Sequence, residues 1–147
     1  MRVRELTVAY RRKPGVSVPE FCRQLLSPSE TARFVIPILA RETSEVFGII
    51  CLSTKYEVLC WHEVARGSLS SCIVEAREVF KAAILANSAC IILSHNHPSG
   101  RPEPSPEDMR LTKRLGDAGE LVGIPVIDHV IVGCDDRYVS FKEMGVL

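Results

Sequence analysis

Apolar residues keep two rhythms along this chain, and the change from one to the other marks its elements. VFGIICLS, from Val46, is an unbroken apolar run of strand length, whereas YEVLCWHEV, from Tyr56, alternates as a half-buried strand does. Thr54 and Lys55 supply a turn between them, so the two are predicted to form a hairpin. AREVFKAAILAN then sets Val79, Ala82, Ala83 and Leu85 at helical spacing and leads into a short buried strand, ACIILSH, that ends at His95. A polar loop rich in Pro and Gly follows, from Asn96 to Pro104. Ser105-Pro106-Glu107-Asp108 has the grammar of a helix start, with Ser as N-cap and Pro in the first helical position. That helix is predicted to run to about Leu121 and to stop at Gly123. IPVIDHVIVG and RYVSF read as two more strands around a turn at Asp135-Asp136.

The segment before Glu45 is less regular. A strand is predicted over Val3–Tyr10, then a Pro-Gly break and a short helix from Pro19. Ser27-Pro28-Ser29-Glu30 is a capping-box signature for a second helix, which Pro37 is expected to kink or interrupt. Helices interspersed with hairpin-forming strands predict an α/β domain of two or three layers around a mixed sheet.

Composition narrows the picture. With 147 residues, 46% of them hydrophobic, the chain can bury one ordinary core, which predicts a single domain. Lys plus Arg and Asp plus Glu both number 18, so no global field draws the chain to phosphates or acidic lipid. Arg2, Arg4, Arg11, Arg12 and Lys13 form a local basic cluster, read here as a solvated terminus. No apolar run is long enough for a signal-peptide core or a membrane span, so a soluble, cytoplasmic protein without membrane partners is expected. The six cysteines include no C-x-x-C pair, and several sit within apolar stretches, which suits small buried hydrophobes better than disulfides or ligands.

Chemistry concentrates around the predicted loop after ACIILSH. His95 and His97 lie two apart at a strand end, so in an extended chain both rings project from one face, roughly 7 Å apart at the backbone. Pro98 steers His97 toward extended conformations. Asp108 falls in the first turn of the next helix, across a loop long enough to bring its carboxylate back to the strand end. Two imidazoles and one carboxylate make a three-ligand zinc site with a fourth position for water. A competing reading is equally local: Asp108 completes a capping box with Ser105, and both histidines are polar loop residues.

SHNHPSGRPEPSPED closely resembles the JAMM (MPN-type) metalloprotease motif, H-x-H-P followed by S-x-x-D. ETSEVFG, ARGSL, AREVFKAAI, HNHPSG and IDHVIVG, in that order, resemble the RadC family's version of that domain. The resemblance implies a single mixed-sheet, JAMM-like (cytidine-deaminase-like) α/β domain with flanking helices over 45–147. Residues 1–44 would then be an N-terminal strand and helices packing on it or leading into it.

The resemblance also implies roles. His95, His97 and Asp108 match zinc ligands; Ser105 matches a serine that helps hold an oxyanion, its hydroxyl proton free to donate; Glu45 matches the glutamate that takes the proton of the attacking water. Glu42, three residues upstream, competes for that last role, and composition does not choose between them. Asp128 and His129 match the family's D-H pair and are candidates to support a ligand from behind, against the plainer reading of a satisfied core histidine. One departure is Glu75-Ala76-Arg77-Glu78, where the family usually carries H-P-R-E.

Taken together these features imply a zinc-dependent hydrolase of amide bonds acting on a protein or peptide. Two other classes compete. One is a DNA-repair-associated RadC-like accessory protein, although the neutral charge gives nucleic-acid binding no support and the stretch before Glu45 is read as too short for the helix-hairpin-helix region of longer RadC proteins. The other is an iron-dependent oxygenase, since two histidines and a carboxylate also form a facial triad.

Overall fold

The computed structural model describes residues 3–4, 6–67 and 73–147. Among these, a short 3-10 helix, Glu20–Arg23, precedes three α-helices and five strands. In chain order they are α1 (Pro28–Leu39), β1 (Val46–Leu52), β2 (Val58–Arg66), α2 (Ala76–Leu85), β3 (Cys90–Asn96), α3 (Pro106–Val122), β4 (Val126–Val132) and β5 (Tyr138–Ser140). The strands form one mixed sheet in the order β2-β1-β3-β4-β5. Only β3 and β4 run parallel, joined through α3, while the other neighbours are antiparallel.

Both faces of the sheet are covered, which is why β1 and β3 are buried at every position and why β1 and the Cys90–Leu93 part of β3 are apolar without alternation. On one face Val46, Ile50, Leu52, Ile92, Val130 and Val132 pack against Val35, Ile38 and Leu39 of α1. On the other, Phe47, Ile49, Cys51, Ile91 and Leu93 meet Val79, Phe80 and Ala83 of α2 and Leu115 of α3. The result is a three-layer α/β/α sandwich with two cores sharing one sheet.

Local chemistry explains most element ends. The Ser27–Glu30 capping box opens α1, and Gly123, at φ 75°, closes α3 in the left-handed region that glycine enters without a Cβ penalty. Contrary to the expected kink, α1 continues through Pro37 to Leu39. Pro37 is exposed and lies in the last turn, where little helix remains for its ring to disrupt. The buried stripe of α2 is Val79, Phe80 and Ala83, with Leu85 turned outward.

No strand forms among the described residues between Val3 and Tyr10: Leu6 is 77% and Tyr10 63% exposed. Alternating apolar residues make a strand only where a neighbour takes their hydrogen bonds, and this segment has none. Cys22, Cys51 and Cys90 are buried as expected and Cys60 half-buried, but Cys134 is exposed. Arg2, Cys72 and the end of the ARGSL block lie outside the described residues.

A close approach accounts for one glycine. A Cβ at Gly48 would lie 2.4 Å from the Trp61 ring, which crosses it from the neighbouring strand. Trp61 Nε1 donates to Ser94 Oγ at 3.1 Å, and that hydroxyl donates to the Gly48 carbonyl at 3.2 Å, tying β2, β1 and β3 together beneath the ring.

Candidate metal centre

The first candidate ligand sits at the end of β3. His95 is opposite Phe47 in the β1–β3 register, so continuing the antiparallel pairing brings the residue before β1, Glu45, toward His97. Beyond β3, His97 keeps its backbone in line by donating its N–H to the Val132 carbonyl at 2.9 Å. The loop then returns to α3, whose first turn delivers Asp108.

Four side chains meet there. Glu45, His95, His97 and Asp108 each offer one donor atom, and these atoms all lie within 4.8 Å of one another. His95 Nε2 is 3.0 Å from His97 Nε2 and 3.3 Å from Asp108 Oδ1, while His97 Nε2 is 3.2 Å from Asp108 Oδ2. Glu45 Oε1 stands farther off, 3.9 Å from His95 Nε2.

Donors bound at the 2.0–2.1 Å typical of zinc in a tetrahedral shell are separated by about 3.3 Å. The three shortest contacts are close to that spacing, with each carboxylate oxygen of Asp108 facing one imidazole. The ring of His97 is oriented for the site: its Nδ1 lies 2.7 Å from the Arg101 carbonyl, which only accepts, so Nδ1 carries a proton and Nε2 is the nitrogen turned to the cluster. The donor set therefore fits a small, borderline-soft divalent ion.

Both competing readings of Asp108 hold at once. It closes a capping box with Ser105, its Oδ2 accepting from Ser105 N at 2.7 Å, and it still faces both imidazoles. Ser105 Oγ accepts from Asp108 N at 3.1 Å and donates to Asp108 Oδ2 at 2.8 Å. The Ser105 hydroxyl proton, expected to be free for an oxyanion, is thus spent on the carboxylate that it orients.

The surroundings set the charges. Burial works against ionisation of Asp108, but the His95 and His97 rings and the Ser105 N–H outweigh it and hold the carboxyl well below its usual range. Burial pushes the Glu45 carboxyl upward, against the pull of the same two rings. That favours a proton acceptor over a permanent counter-ion. Glu42 is elsewhere: its carboxylate lies 2.6 Å from Arg66 Nη1, outside the cluster.

Asp128 and His129 point to opposite faces of β4. Asp128 does not join the cluster; its carboxylate accepts from Ser140 Oγ at 2.8 Å and from the backbone N–H groups of His129 and Lys142 at 2.7 and 3.0 Å. His129 lies directly behind His95, its Nε2 2.8 Å from His95 Nδ1. Two residues that sequence patterns left unmarked also belong to the surroundings: Asn96, between the two histidines, and Thr112, one turn after Asp108. Their only advance signal was their spacing from the ligands.

A cleft of about 780 Å³ opens beside the cluster, lined by Glu45, His97, Ser105 and Asp108 with Ile73 and Leu111 on its apolar side. No helix among the described residues is long and apolar enough to cross a membrane.

Comparison with known proteins bears on the same elements. Residues 25–146 match the RadC-like JAB domain. The UPF0758 protein of Desulfitobacterium hafniense (strain DSM 10664 / DCB-2) is 50% identical over 121 residues, which is 82% of this chain and 53% of that protein. The UPF0758 protein of Methanosarcina acetivorans is 44% identical over 134 residues, 91% of this chain and 58% of its own length. That of Rubrobacter xylanophilus is 44% identical over 144 residues, 98% of this chain and 59% of its own. The chain thus spans little more than half the length of these relatives. Because the match runs from before α1 to beyond β5 and includes every residue of the cluster, the chain belongs to the RadC-like JAB domain family.

Proposed function

We propose that this chain is a zinc-dependent hydrolase of the JAMM type, acting on an amide bond of a protein or peptide, with His95, His97 and Asp108 as ligands. The observation that carries this reading is the convergence of two imidazole nitrogens and an ionised carboxylate at tetrahedral donor spacing, with a fourth, more distant carboxylate on Glu45. Bound zinc supplies a water of pKa about 7 and a Lewis acid for the attacked carbonyl.

The chain's own residues do the rest. Glu45 stands at the rim of the cluster, half-buried, where desolvation raises its affinity for a proton. It takes the proton of the attacking water and returns it to the leaving amine. Ser105 locks Asp108 from its Oδ2 side, which leaves Oδ1 directed at His95. The cleft beside Ile73 and Leu111 admits an extended chain past the cluster.

Two measurements test this. Elemental analysis should find zinc in the wild type and a marked loss in His97→Ala; equal zinc in both sinks the ligand assignment. Peptide-library cleavage should be lost in Glu45→Gln with zinc content retained, and unchanged cleavage would remove Glu45 from the mechanism.

A further inference from the structure

Three of the most deeply buried polar side chains among the described residues, His95, His129 and Thr112, form a single line. Register pairs His129 of β4 with Leu93 of β3, placing its ring on the face that carries His95, and α3 lays Thr112 over it. His95, Thr112 and His129 are each at most 1% exposed, so bulk solvent does not reach their hydrogen bonds. Phe47 stacks on His95 with centroids 5.8 Å apart, and Phe141 stacks on His129 at 4.7 Å, which prevents either ring from turning away.

Direction along this line follows from one contact. Thr112 Oγ1 lies 2.7 Å from the Asp108 carbonyl oxygen. Two oxygens approach so closely only with a proton between them, and a carbonyl has none to give. Thr112 therefore donates to Asp108. Its single proton spent, the hydroxyl must accept at its other contact, 2.6 Å from His129 Nδ1. His129 then carries its proton on Nδ1. That ring is fully buried between Phe47 and Phe141, its side-chain hydrogen bonds go to the Thr112 hydroxyl and to His95, and no carboxylate among the described residues pairs with it, so without a counter-ion it stays neutral and its Nε2 is bare. The 2.8 Å contact from His129 Nε2 to His95 Nδ1 needs a proton, which must sit on His95 Nδ1. His95 Nε2 is then a lone pair, facing His97 and Asp108.

We propose that Thr112 and His129 are positioning residues: a one-way hydrogen-bond relay, running from His95 through His129 and Thr112 to the Asp108 carbonyl, holds His95 in the tautomer whose Nε2 can bind a metal. His97 Nδ1 is committed as a donor by a separate route, to the Arg101 carbonyl. The relay also ends on the backbone of the residue that supplies the third ligand, so a displacement of α3 disturbs the aim of His95 and of Asp108 together. The use of the lone pair rests on the metal-site reading above; the tautomer itself does not.

The test reads the tautomer directly. Long-range ¹H–¹⁵N spectra of histidine-labelled, metal-free protein, taken above the titration range of the rings, should show both His95 and His129 protonated on Nδ1. Thr112→Ser keeps the hydroxyl and should keep that pattern. Thr112→Val removes the acceptor and should shift His95 toward the Nε2-protonated form, with zinc affinity, measured by competition with a chelator, falling about 10- to 100-fold. His95 protonated on Nε2 in the wild type overturns the relay, as does a Thr112→Val protein with wild-type tautomers and zinc affinity. Should Thr112→Val fail to fold, the wild-type spectrum decides alone. Should the wild type bind no zinc, the metal-site reading fails while the tautomers still decide the relay.

Discussion

Asn96 holds Val46. The Asn96 Oδ1 accepts the Val46 N–H at 2.8 Å, and its Nδ2 donates to the Ser44 carbonyl at 3.0 Å, so one buried amide grips the backbone on both sides of Glu45. In an extended strand successive side chains alternate, so the residue between His95 and His97 points away from them and is placed to hold the neighbouring strand. Asn96→Ala leaves the buried Val46 N–H without a partner and should cost about 1–3 kcal/mol in denaturant unfolding. Hydrolysis should fall further than zinc content, because the ligands stay while Glu45 loses its anchor. Unchanged stability and activity would show that the clamp contributes nothing.

Ser105 serves Asp108 as cap and as clamp. Ser105→Ala should lower stability by about 1 kcal/mol, as other N-cap losses do. It should also weaken zinc binding, because Oδ2 of Asp108 loses one of its fixed donors. Ser105→Thr keeps the hydroxyl and should recover both. A stability loss with wild-type zinc affinity would confine Ser105 to the cap.

Gly48 has no room for a side chain beneath Trp61. Gly48→Ala should displace the indole and cost about 1–3 kcal/mol, in the manner of overpacked cores. The chain has one tryptophan, so its fluorescence reports the displacement without interference. An emission maximum and stability equal to wild type would contradict the close packing.

Arg66 bridges Glu42 and Glu63 across the hairpin's open end. Its hydrogen bond holds the Glu42 carboxyl below the ordinary glutamate range. A carboxyl depressed in the folded state stabilises fully above its unfolded value, about 4.3, and that contribution disappears as pH falls through the lower folded value. Arg66 is partly exposed, so solvent screening limits the pair to about 0.2–1 kcal/mol. Arg66→Ala should therefore be less stable than wild type at neutral pH and equal to it in strong acid. A difference that persists in acid would mean that Arg66 acts through packing rather than charge.

What the sequence by itself determined was the part governed by nearest neighbours. Periodicity located β1 and the start of β3, because a strand covered on both faces is apolar without alternation, and β2, because a half-buried strand alternates. Ser27 and Ser105 announced α1 and α3, because a cap is a contact three residues long. The spacing of His95 and His97 put two imidazoles on one face for the same reason. Local reasoning failed over Val3–Tyr10, where alternation was present and a partner strand was not, and at Pro37, where little helix remained for the ring to disrupt.

Tertiary structure alone decided the rest. Composition does not separate Glu42 from Glu45, and only the resemblance favoured Glu45; the fold pairs Glu42 with Arg66 and brings Glu45 to the histidines. Asp108 satisfied a capping box and a metal-site motif equally well on paper; folding showed the two to be one arrangement, since the cap fixes Oδ2, which still faces His97, and leaves Oδ1 for His95. Thr112, Asn96 and His129 gain their roles from contacts 17, 50 and 34 residues away. The direction of a hydrogen bond depends on which groups meet, and chain order does not carry that until the sheet and α3 have closed around them.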